Sequence, residues 1–84
     1  MTTDLAGLAS ELTVAASDYD AEAAACRAAG GTWSLMLADE HTRAAAQLRA
    51  ARDALLDPTA EAIRLAEYWR DASRRHLATI RTTA

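Results

Sequence analysis

Lysine, asparagine and phenylalanine are absent from this 84-residue chain, so all nine basic residues are arginine. A single cysteine, Cys26, excludes an internal disulfide framework. With one proline and three glycines, few points can break a helix. Aromatic residues make up 5 % of the chain, so no large aromatic core can form. No apolar run approaches the ~20 residues that a membrane span needs, and no signal-peptide core is visible. These absences lead to the expectation of a cytoplasmic protein without disulfides.

What is present is alanine and arginine in abundance, as GC-rich codon usage would give, in a bacterium or a phage. Net charge is −3. Residues 1–30 carry five acids against one arginine, whereas residues 57–84 carry five arginines against four acids. The first and last segments are thus complementary, which favours their lying side by side. One chain this short forms one domain, 1–84, with a modest core.

The stretch from Ser34 to Leu56 organises the chain. Leu37, His41, Ala44, Leu48, Ala51 and Leu55 recur at alternating spacings of four and three, a coiled-coil-like stripe down one helix face. Gly30-Gly31 and Asp57-Pro58 stand on either side as breaks. The pattern predicts helices at about 3–29, 34–56 and 58–82. Thr2 or Thr3 is the expected first cap, with Asp4 in the first turn. Gly30 is expected to end that helix in the left-handed conformation and Thr32 to cap the second. Asp57 is the expected cap of the third, with Pro58 at its first position. In the first helix the expected stripe is Leu5, Leu8, Leu12, Ala15, Tyr19 and Cys26. Weak pairs Asp39–Arg43 and Arg49–Asp53 are expected on the solvated face of the second.

The fold class is therefore all-α, an antiparallel three-helix bundle. The alternative is a long helical hairpin in which the second and third helices form one kinked rod. A single chain is expected to leave part of the central stripe poorly covered, which makes self-association the expected state.

Few residues point to chemistry. His41 and His76 fall on apolar stripes, yet neither has a glutamate three residues before it, and no HExxH occurs. Each histidine is expected to be half-buried and to make a polar contact with the next helix. No cofactor and no metal are expected. Cys26 sits among alanines as a small apolar residue. Asp18, Asp20 and Glu22 form an acidic run, and Arg70, Arg74 and Arg81 share a sector of the third helix. Trp33, Leu35, Met36 and Leu37 are too many large apolar residues for one helix face. Some must close the end of the bundle or stand exposed. Trp69 is assigned to the core.

These features describe a protein that is not an enzyme but a protein–protein interaction module, such as a small helical adaptor, a chaperone subunit or a phage-type inhibitor of a host (anti-defence) system. The candidate partner-binding residues are Trp33, Leu35, Met36, Asp18, Asp20, Glu22, Arg70 and Arg74. A homo-oligomer is expected, and the partner is a protein, not nucleic acid or a membrane. The alternative is a nucleic-acid-binding regulator that uses the arginine-rich third helix against phosphates.

Overall fold

The computed structural model describes residues 3–83, with side chains described through residue 82. Three helices follow one another: α1 (Leu5–Ala29), α2 (Thr32–Ala54) and α3 (Ala60–Thr83). They pack as an all-α three-helix bundle of 46 × 22 × 16 Å.

The direction of each helix follows from its cross-links. Arg27 donates to Thr42, and Arg49 pairs with Asp20, so α1 and α2 are antiparallel. Glu11 meets Arg70 and Arg74, and Asp18 meets Arg81, so α3 runs parallel to α1. The chain thus reverses at residues 55–59, and the kinked-rod alternative is set aside. The expected apposition of the first and last segments takes the form of these ion pairs.

Each helix start differs from the expected one, for a physical reason. Asp4 is itself the cap of α1. Its carboxylate accepts from the Gly7 N–H at 3.0 Å, and its carbonyl accepts from Leu8 at 2.9 Å. A Cβ at position 7 would collide with that carboxylate, so glycine there leaves the cap room. Thr2 lies outside the described residues. At α2 the cap is Gly31, and Thr32 is already helical. Gly30 and Gly31 do not adopt the left-handed helical conformation. Both are extended at positive φ (71° and 89°, with ψ 177° and 155°), a region that essentially only glycine enters. Two such residues in succession reverse the chain between α1 and α2.

Thr59, not Asp57, caps α3: its hydroxyl accepts from Ala62 N–H and its carbonyl from Ile63. Pro58 therefore precedes the cap. Leu55 and Leu56 donate to the carbonyls three residues back, which tightens the end of α2 and lets the chain leave it two residues earlier than expected. Leu55 is buried and anchors the corner against the core, while Leu56 is exposed.

The core is small. Leu8, Leu12, Ala16 and Tyr19 of α1, Ala45, Leu48, Ala51 and Leu55 of α2, and Ala66 and Leu77 of α3 form it, with Ile63, Trp69 and Ile80 packed at its edge. Leu12 and Leu48 are the largest fully buried side chains. On α1 the buried face is Ala16 and Ala23, not Ala15 and Cys26, which are only partly buried. Of the central stripe on α2, His41, Leu48, Ala51 and Leu55 are buried within one chain, while Leu37 and Ala44 are partly buried. Among the described residues no helix is long and apolar enough to cross a membrane.

Candidate functional site

Most charges on α1 are already engaged inside the chain. Glu11 lies 3.0 Å from Arg74 and 3.6 Å from Arg70. Asp18 is 3.0 Å from Arg81, and Asp20 pairs with Arg49. Arg70 also takes Asp71 at 2.9 Å, and that hydrogen bond holds the Asp71 carboxyl below its ordinary range while raising the guanidinium further. Arg49 is likewise raised by its bond to Asp20. The expected Arg49–Asp53 pair is replaced: Arg49 turns to α1 and Asp53 takes Arg52. No Asp39–Arg43 pair forms among the described residues. For Arg49 the reason is reach, since its long side chain extends across the seam to Asp20 on α1.

Of the eight candidate contact residues, Asp18, Asp20, Arg70 and Arg74 thus serve the seams of α1 with its neighbours. Glu22 is partly buried on α1, one turn beyond Tyr19. Trp33, Leu35 and Met36 are different. They sit in the first turns of α2, where α1 and α2 join, and they are 71 %, 49 % and 53 % exposed. Trp33 does not close the end of the bundle, and Leu37 alone of the four turns partly inward. From the pairings of α3 with α1, the last described turn of α3 reaches about the level of Ala23, so the tip of the α1–α2 hairpin extends beyond it.

A second constellation lies deeper. Tyr19, His41 and His76, one from each helix, place their ring centroids 5.6 to 6.2 Å apart. The Tyr19 hydroxyl is 2.7 Å from Nδ1 of His76. Burial raises the phenol's pKa above its ordinary value, and the hydroxyl and the imidazole nitrogen share this hydrogen bond. The two histidines are not both half-buried as expected. His41 is 7 % exposed, while His76 is exposed along one edge and reaches inward to Tyr19. The histidine spacing made a cross-helix polar contact legible, but Tyr19 as its acceptor or donor was not, because a tyrosine on an apolar stripe reads as core. Among the described residues no group of three His, Cys, Asp or Glu side chains gathers as a metal site.

Grooves lie on both sides of α3. One, about 430 Å³, runs between α1 and α3 over Val14, Ala15, Leu77 and Ala78, and is bridged by the Glu11 and Asp18 ion pairs. The other, about 170 Å³, lies between α2 and α3. No protein-family model, curated protein or solved structure matches the chain.

Proposed function

We propose that the chain is a non-enzymatic protein–protein interaction module that presents the tip of its α1–α2 hairpin to a protein partner. A small helical adaptor, a chaperone subunit or a phage-type inhibitor of a host system would act this way, and self-association belongs to the same reading. The observation that carries it is the exposure of Trp33, Leu35 and Met36 together at one end of a rigid hairpin. Tryptophan is favoured as an interface anchor because it buries a large area at low entropic cost. The ion pairs of Arg70, Arg74 and Arg81 support this over phosphate binding by α3, since each arginine already meets an acid.

The test is affinity capture from the native host with three tagged chains: wild type, Trp33→Ser/Met36→Ser, and Val14→Ser in the groove between α1 and α3. A partner held by wild type and by Val14→Ser but lost by the double variant supports the reading. Identical recovery with all three chains overturns it.

A further inference from the structure

The helical metal motifs Glu-x-x-His and HExxH each set two residues at fixed spacing on one helix, and neither occurs here. Donors contributed one by one from three helices leave no such spacing in a sequence. Tyr19 of α1, His41 of α2 and His76 of α3 are arranged in that way. Tyr19 is 3 % exposed and His41 7 %. Tyr19 has its bond to His76. The His41 side chain enters no hydrogen bond or ion pair among the described residues. An imidazole this deeply placed gives up most of its hydration, and within the chain nothing replaces it. Its ring nitrogens are not sealed off completely, which leaves a small ion a way in.

The separations suit a shared ion. With metal–nitrogen bonds of roughly 2.0–2.1 Å, two imidazoles on one ion have ring centres at most about 6.4 Å apart, and about 5.2 Å apart at the tetrahedral angle. The His41 and His76 rings stand 6.2 Å apart, inside that limit. Two ligand atoms on such an ion lie about 3.3 Å from each other at the same angle. The Tyr19 hydroxyl and Nδ1 of His76 are 2.7 Å apart, so a small opening of this contact would admit the ion between them. Imidazole nitrogen suits zinc, copper and nickel, whereas magnesium and calcium want oxygen ligands.

We infer that Tyr19, His41 and His76 form a site for one zinc-type divalent ion, held by two imidazole nitrogens and the phenol oxygen, with water in the fourth position. On binding, the phenol O–H bond breaks, its electron pair goes to the metal and the proton goes to solvent, while both imidazoles bind as neutral donors. Burial favours the protonated phenol in the free chain, and the charge of the ion reverses that preference. The ion would also supply a link that the chain otherwise lacks. Among the described residues no ion pair or side-chain hydrogen bond joins α2 to α3, and that seam is the least extensively packed of the three. The inference goes beyond the interaction reading, and its failure would leave the tip contact standing.

Zn²⁺ titrated into the full, untagged chain tests it by proton NMR. The chain has two histidines, so its imidazole resonances report the two nitrogen ligands and nothing else. In wild type both shift together and saturate at one ion per chain in the micromolar range. Zn²⁺ also raises the urea midpoint, because an ion that binds the folded chain alone stabilises it. Tyr19→Phe keeps the ring and removes the oxygen donor, and weakens binding by about tenfold or more. Cys26→Ser binds like wild type, which separates the site from the thiol. Imidazole resonances that stay in place up to millimolar Zn²⁺ overturn the inference. So does movement of His76 alone, the more exposed ring, or a Tyr19→Phe chain that binds like wild type, or loss of binding in Cys26→Ser.

Discussion

Gly30 and Gly31 carry a conformational demand and no packing demand. A Cβ at either position would meet nothing within 4 Å, so any cost of substitution comes from positive φ alone. Gly30→Ala or Gly31→Ala is expected to lower stability by about 1–3 kcal/mol each, read by urea denaturation, with no change in the helical spectrum. Tyr19 poses the opposite case, a buried polar group with one partner. Tyr19→Phe removes its bond to His76 and is expected to cost about 0.5–1.5 kcal/mol near neutral pH. The sign of its pH effect follows from burial. The folded phenol holds its proton more tightly than the unfolded one, so stability is unaffected below the unfolded value near 10.0 and falls as pH rises beyond it. Denaturation midpoints measured from pH 8 to 11 should show that alkaline loss in wild type and a smaller one in Tyr19→Phe, by roughly the part due to this group.

At the scale of the element, helix existence was legible and helix faces were only partly so. Gly30-Gly31 and Asp57-Pro58 marked both breaks because glycine and proline act on the backbone directly. The caps moved by one or two residues because several side chains near each end can accept the same N–H. Asp4 and Thr59 are the ones placed three residues before the donors they bind. The leucine half of α1 was read correctly: Leu8 and Leu12 are buried. In the alanine half, Ala15 and Ala16 offer no contrast in size or polarity, so periodicity could not show that α1 turns Ala16 and Ala23 inward to meet two neighbours at once. Energetic weight should follow the same division. Leu12→Ala and Leu48→Ala are expected to cost about 2–5 kcal/mol each by denaturant titration, because both side chains are fully enclosed and the alanine-rich surroundings cannot collapse onto the void. Ala24→Ser, at an exposed position of α1, should stay within about 0.5 kcal/mol of wild type.

At the scale of the molecule, charge and apolar surface are sorted to different places. The acidic face of α1 draws α2 and α3 to itself through arginine, which accounts for the uneven distribution of charge along the sequence. What remains uncommitted is the apolar hairpin tip and the α2–α3 groove. The tip was legible because four large apolar residues within five positions, Trp33 to Leu37, cannot share one helix face with its buried stripe. The groove was not legible. By spacing Leu65 falls on the core side of α3 and Tyr68 on its flank, yet both are exposed, beside the least extensively packed of the three helix seams.

The central claim is that the hairpin tip is where this protein meets its partner. A photo-crosslinking amino acid placed at Trp33, and separately at Val14 as an exposed control away from the tip, tests it in the native host. A discrete higher-mass adduct is expected from position 33 and none of that mass from position 14. Adducts of equal yield from both positions, or an adduct from position 14 alone, would contradict it.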